Sequence, residues 1–204
     1  MNNRHGIRMI LYITTCLLLL TACHFQESEM TGKSIDILDP NTQEISIETI
    51  IKNSQQEVHA ILPRAYLSAF SFTGQCQDLP KLHGQVHMTF VQVRSFLFYQ
   101  QVVVAFVSVD TVQETLEIQT QDLSHHYWST ESMSIQEASA IAEVAEIAYQ
   151  HLTELGIEDC DVTLSSMNQN WHVLCTEPNS GTTGARLCTF WIDASAIPMI
   201  ITEQ

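Results

Sequence analysis

Apolar residues recur at helical steps early in the chain. Ile47, Ile50, Ile51, Val58, Ile61 and Leu62 fall at the three- and four-residue spacing of an amphipathic helix, and Pro63 stops it. The pattern then changes. Runs rich in aromatic and β-branched residues cover Ala65 to Gln75, Gln85 to Phe98 and Gln101 to Thr120, and predict strands. Gly74 and Asp78-Leu79-Pro80 punctuate the first two. Phe70, Phe72 and Cys76 fall on one strand face, and Val86, Met88 and Phe90 supply apolar area on the next. Val102 to Val109 is nearly all apolar, as expected of a central, well-covered strand.

A second helix opens at Ser134-Ile135-Gln136-Glu137, a capping-box sequence. Ala138, Ile141, Ala145, Ala148, Tyr149, Leu152 and Leu155 form its apolar stripe, with Glu143, Glu146, Gln150 and Glu154 off it. Gly156 suits the left-handed residue that ends a helix. Three more strands follow. Cys160, Val162 and Leu164 alternate on the first, Trp171, Val173 and Cys175 on the second, and Cys188, Phe190 and Ile192 on the third. Met167 to Asn170 makes one turn, and Pro178 to Gly184 makes a longer loop.

A helix followed by about three antiparallel strands thus occurs twice, from Ile45 to Thr120 and from Ser134 to Thr202. Val107-Ser108-Val109-Asp110-Thr111 sits in one unit where Phe190-Trp191-Ile192-Asp193-Ala194 sits in the other. The lengths from helix start to aspartate, Ile47 to Asp110 and Ile135 to Asp193, are similar, which favours a repeat. The expected fold is α+β, with helices packed on one face of antiparallel sheet in two tandem helix-plus-three-strand units. Residues 45–120 form the first unit, 121–133 a linker and 134–204 the second.

The N-terminal region has a different pattern. Arg4 and Arg8 precede the apolar run Met9 to Leu20, which is short of the roughly 20 residues a membrane span needs. The run ends at Leu20-Thr21-Ala22-Cys23. A basic start, a short apolar stretch and small residues before a cut site make an export signal. With the cysteine placed here, the segment resembles a bacterial lipoprotein signal. That resemblance implies removal of residues 1–22 and lipidation of Cys23, which becomes the first residue of the mature protein. His24 stands where an aspartate commonly retains Gram-negative lipoproteins at the inner membrane. The resemblance therefore implies the outer membrane in a two-membrane cell, or the outer face of the membrane in a one-membrane cell. Residues 23–44, polar and acidic with Gly32, Asp39 and Pro40 as breakers, read as a flexible lipid-anchored tether.

Charge narrows the partners. The chain carries 23 acidic residues against 8 basic ones, for a formal net charge of −15. All the acidic residues lie after Cys23. Such a surface repels nucleic acid and anionic lipid heads, and leaves a cationic partner or a weakly held divalent ion.

With Cys16 in the signal and Cys23 on lipid, Cys76, Cys160, Cys175 and Cys188 remain. Four cysteines outside the cytoplasm suggest two disulfides, with three connectivities open. All but Cys76 fall on the three late strands, which favours Cys175 with Cys188 across a hairpin and, by elimination, Cys76 with Cys160. Buried free thiols are the competing reading. No C-x-x-C occurs, so neither a zinc ribbon nor a thioredoxin-type site is indicated.

Catalytic signatures are missing: there is no G-x-S-x-G, no H-E-x-x-H, no glycine-rich phosphate loop and no EF-hand pattern. His83 and His87 fall in a strand, where four residues span about 13 Å, too far for one ion. His125 and His126 with Asp122, beside Tyr127 and Trp128, are weak candidates for a transition metal in the linker. Glu158, Asp159 and Asp161 could attract calcium just past a helix end, although a solvated acidic turn is the default. No cofactor is expected.

The second unit resembles a PepSY domain. Trp171-His172-Val173 matches that family's middle strand, and Phe190-Trp191-Ile192-Asp193-Ala194 its last, although Ser195-Ala196-Ile197-Pro198 replaces the family's usual glycine turn. The resemblance implies an inhibitory or binding module and no catalytic role. The expectation is a membrane-anchored extracytoplasmic lipoprotein that binds or regulates a protein or peptide, with exposed sheet edges suited to an extended peptide. The alternative is a metal- or small-ligand-binding envelope lipoprotein.

Overall fold

The first long helix, α1 (Ile47–Ile61), begins where Ser46 adopts an extended conformation and its side chain accepts a bond from Thr49 N (3.2 Å). Its apolar stripe Ile47, Ile50, Ile51 and Val58 is buried, and Leu62 caps the end just before Pro63. The computed structural model describes residues 29–95, 100–123, 132–167, 170–178, 185–193 and 200–201. The strands are β1 (Glu29–Ser34), β2 (Tyr66–Gln75), β3 (Gly84–Ser95), β4 (Gln100–Asp110), β5 (Thr115–Asp122), β6 (Asp161–Met167), β7 (Asn170–Thr176), β8 (Arg186–Asp193) and the short β9 (Ile200–Ile201). Two further helices, α2 (Ile135–Ser139) and α3 (Ile141–Glu154), lie between β5 and β6.

The strands form one antiparallel sheet in the order β1-β5-β4-β3-β2-β6-β7-β8-β9. β2 and β6 pair in the middle, with Ser71 opposite Ser165. From that pair one meander runs outward through β3, β4 and β5, and the other through β7, β8 and β9. The buried residues of all three helices join those of one strand face in a single core, which includes Phe70, Phe72, Met88 and Phe90 from the first meander and Leu164, Trp171, Val173 and Phe190 from the second. The protein is therefore α+β, as the pattern predicts. It is built on one sheet, and its main core is shared by residues 45–120 and 134–204; a smaller cluster of Val91, Val104 and Leu123 lies on the opposite face.

Four expectations about boundaries are corrected. Gln101 to Thr120 is two strands joined by a turn. Asp110 Oδ1 accepts from Val112 N and Gln113 N (2.8 Å each), and Glu114 takes a positive φ of 54°. The second helix breaks at Ala140, although its capping box forms as expected. Ser134 Oγ accepts from Glu137 N (3.1 Å), and Glu137 Oε2 accepts from Ser134 N (2.6 Å). Residues 29–34 of the expected tether form an edge strand on β5, Ile35 and Ile37 are buried, and Lys33 pairs with Glu57 of α1. The linker shortens: β5 runs to Asp122, Leu123 is buried, and Met133 N donates to Leu67 O (2.7 Å). These segments are polar overall, but a few spaced apolar residues suffice to dock them.

One close approach fixes the β2–β3 hairpin. Gly74 and Gly84 face each other, and a Cβ on Gly84 would lie 2.2 Å from Thr73 O. The 3₁₀ segment Cys76–Lys81 spans the turn, and Thr111 closes it by accepting from Gly84 N (2.9 Å) and donating to Leu82 O (2.8 Å).

Candidate functional site

Two rows of side chains cross the sheet, a polar one through its middle on one face and a cysteine one near the strand ends on the other. The strand register aligns Ser108, His87, Ser71, Ser165, His172 and Trp191 on β4, β3, β2, β6, β7 and β8, each directly opposite the next. Their chain neighbours, such as Phe70, Phe72, Val86, Met88, Trp171 and Val173, belong to the helix-covered core. Strand alternation therefore points this polar row to the other face, where none of the described helices packs. All six residues are half-buried.

The two histidines stand symmetrically about the Ser71–Ser165 pair, three strand spacings or about 14 Å apart. His87 Nδ1 bonds Ser108 Oγ (2.8 Å), and its Nε2 lies 3.4 Å from Thr73 Oγ1. Burial lowers its pKa, which favours the neutral ring. His172 Nε2 lies 2.8 Å from Thr189 Oγ1. That hydroxyl donates its single proton to Val173 O (3.1 Å), so Nε2 must be the donor to Thr189. The His172 ring also packs against Trp191, with centroids 4.6 Å apart.

This row offers recognition chemistry. The Ser108–His87 pair resembles part of a nucleophile–base arrangement, but hydroxyls occupy both ring nitrogens. The flanking backbone amides serve the sheet ladder and cannot act as an oxyanion hole. Hydroxyls and imidazoles provide donors and acceptors, Trp191 provides stacking area, and small serines stand at the centre of the row.

On the helix-covered face lie the four cysteines, all free thiols. Cys175 is directly opposite Cys188. Cys76 continues the β2–β6 register one step past Gln75 and Asp161, and Cys76 N donates to Cys160 O (3.0 Å). Val162 faces Cys175, which sets Cys160 diagonally across from Cys175 on the same face. The thiols hydrogen-bond in series. Hydrogen bonding with Cys160 and Cys188 raises the Cys175 pKa and lowers theirs, while burial pushes Cys76 up to about 12. Cys76 Sγ also donates to Ile157 O (3.5 Å).

The other sequence candidates among the described residues do not converge. Asp122 is on β5, accepting from Gln101 Nε2 (2.7 Å). Its expected partners His125 and His126, and the lipidation site Cys23, lie outside the described residues. His83 precedes β3 while His87 is within it. Glu158 and Asp159 are exposed before β6 and Asp161 begins it. Among the described residues no group of three or more histidine, cysteine or acidic side chains is arranged to hold a metal, and no helix is long and apolar enough to cross a membrane. The polar row was missed in the sequence because its members are dispersed. The one available signal was the repeated amide–apolar–histidine order in Gln85-Val86-His87 and Asn170-Trp171-His172. Compared with protein-family models, curated proteins and solved structures, the chain matches none.

Proposed function

We propose that this protein is an exported lipoprotein, held to a membrane through lipid on Cys23, whose helix-free sheet face binds a basic, extended protein segment without transforming it. The observation that carries the reading is the in-register row Ser108–His87–Ser71–Ser165–His172–Trp191, hydrogen-bonding in its middle and aromatic at one end. The choice of a basic partner rests on the excess of 23 acidic over 8 basic residues. The anchor rests on the charged, apolar and small-residue order before Cys23. Its membrane is the outer membrane in a two-membrane cell, or the outer face of the only membrane otherwise.

The same reading treats the two halves as a duplicated helix-plus-meander unit, the second akin to a PepSY domain. Matching details support it. Ser46-Ile47 and Ser134-Ile135 open the helices, and Gln85 faces Asp110 as Asn170 faces Asp193.

The test is a photo-crosslinking amino acid placed at Ser165 and, as a control, at exposed Lys52 on α1, in intact cells. The expected result is one basic protein joined at Ser165 only, with the product lost on Trp191→Ala and weakened by salt. Equal products from both positions, or none from Ser165, would overturn the binding face. Cys23→Ser should move the protein from the membrane to the soluble fraction, and retention in the membrane fraction would overturn the anchor.

A further inference from the structure

The four cysteines differ in access. Cys76 and Cys160 are 1% exposed and Cys175 is 0% exposed, whereas Cys188 is only partly buried, next to exposed Leu187 and Arg186. A β-bulge at Leu187 interrupts the β7–β8 ladder beside this pair. Bulges occur next to reactive sites because they re-aim a side chain. Cysteines directly opposite on antiparallel strands have Cα atoms about 4.5–5.5 Å apart, within the range a disulfide spans. Cys76 with Cys160 and Cys175 with Cys188 are both such neighbours, and Cys160 and Cys175, diagonal neighbours about 7–8 Å apart, link the two pairs through a transient bond that needs a small backbone movement. The thiols form a line from surface to interior and do not surround a point, which suits exchange and not a metal.

We propose that this line is a disulfide relay: oxidising equivalents enter at Cys188 and are passed through Cys175 and Cys160 to Cys76, leaving Cys76–Cys160 and Cys175–Cys188 bonded. The oxidant is a disulfide, either a small molecule or the active-site disulfide of a thiol oxidase. Cys188 thiolate attacks it, forming a mixed disulfide and releasing one oxidant thiol. Cys175 then attacks the Cys188 sulfur and releases the second. Cys160 attacks the Cys175 sulfur, expelling Cys188 as thiolate. Cys76 attacks the Cys160 sulfur, expelling Cys175. A second oxidant molecule rebuilds Cys175–Cys188. Each net disulfide transfers two electrons and two protons to one oxidant disulfide, which becomes two thiols. Hydrogen bonding with Cys175 lowers the Cys188 pKa, and the charge of Arg186 adds to this, so attack begins at the accessible thiol that is held as the better thiolate. The relay does not depend on the binding face.

The test mixes the reduced, folded full-length chain in detergent with oxidised glutathione, quenches aliquots by alkylation, and maps disulfides by peptide mass spectrometry. In the wild type, Cys175–Cys188 should appear first, Cys160–Cys175 transiently, and Cys76–Cys160 last. In Cys188→Ser, formation of Cys76–Cys160 should slow at least about tenfold, because the remaining thiols are buried. Gradual reduction of the oxidised wild type needs no variant and should open Cys175–Cys188 before Cys76–Cys160. An undiminished rate in Cys188→Ser, Cys76–Cys160 forming or opening first in the wild type, or four thiols persisting through prolonged oxidation would each overturn the relay.

Discussion

Five residues inward from the Gln85–Asp110 pair, the first half of the sheet sets Phe90 opposite Ala105. Five residues inward from Asn170–Asp193, the second half sets Cys175 opposite Cys188. Around these positions the frame is kept. Both halves begin with a serine-capped helix, set an amide opposite an aspartate at the open end of a hairpin, and send a histidine to the face on which none of the described helices packs. The interior is not kept, since a bulky ring packed on a small residue in one half becomes two thiols in the other. The features held in common set register and surface, while the core positions vary so long as volume is filled. The first half therefore draws its local stability from packing, and the second has room for redox chemistry.

The largest effect should come from testing that contrast directly. Phe90 is fully buried, and Phe90→Ala should lower unfolding stability by about 3–5 kcal/mol, from lost transfer energy plus a cavity. Cys175→Ala in the fully reduced protein should cost only about 1–2 kcal/mol, since one heavy atom and its weak hydrogen bonds are removed. Urea unfolding under reducing conditions measures both. Equal losses would erase the difference between the halves.

Much of this frame was legible in the sequence. Both helices, the capping box, Gly156 as a positive-φ terminator and the apolar phase of most strands follow from local rules, because each depends on residues within one or two turns of chain. The sheet's central seam did not follow. Nothing local in β2 or β6 states that Ser71 will face Ser165, and that single non-local pairing joins the two meanders into one sheet and assembles both rows. The edge strand β1 was hidden for the same reason: Glu29–Ser34 is polar and gains its strand form from β5. The turn at Asp110 was overrun by flanking apolar residues, although an aspartate able to cap two following amides was there to be read. The cysteine pairs are a middle case. Strand phase brought Cys175 and Cys188 together on paper, but the continuous line of four needed the register of four strands.

A smaller effect separates the two outward histidines. His87 lies between two hydroxyls, whereas His172 lies against Trp191. Burial holds the His87 pKa below its ordinary 6.5, so the unfolded chain binds a proton that the folded chain refuses. Its stabilising contribution is complete above the unfolded value of 6.5 and is lost as pH falls from there toward the lower folded value. Wild-type urea midpoints should therefore fall on acidification below about pH 6.5, and the fall should be shallower in His87→Gln. Parallel curves would show that this histidine does not report its burial.

The finest comparison is between the helix caps. Ser46 and Ser134 both accept a bond from the amide three residues on, at 3.2 and 3.1 Å. Only Ser134 has the reciprocal arm, where Glu137 Oε2 accepts from the cap's own amide at 2.6 Å. Each serine-to-alanine change should cost about 1 kcal/mol, because one first-turn amide loses its partner. Glu137→Ala should cost a further few tenths in the second half, whereas Thr49→Ala, at the matching place in the first, should cost less because its side chain closes no box. If these shared caps came from a common ancestral unit, their energies should match more closely than those of the core positions beneath them. Thermal unfolding of the four variants decides this, and a Ser134→Ala loss more than about twice that of Ser46→Ala would mean that the box, and not the shared serine, does most of the capping in the second half.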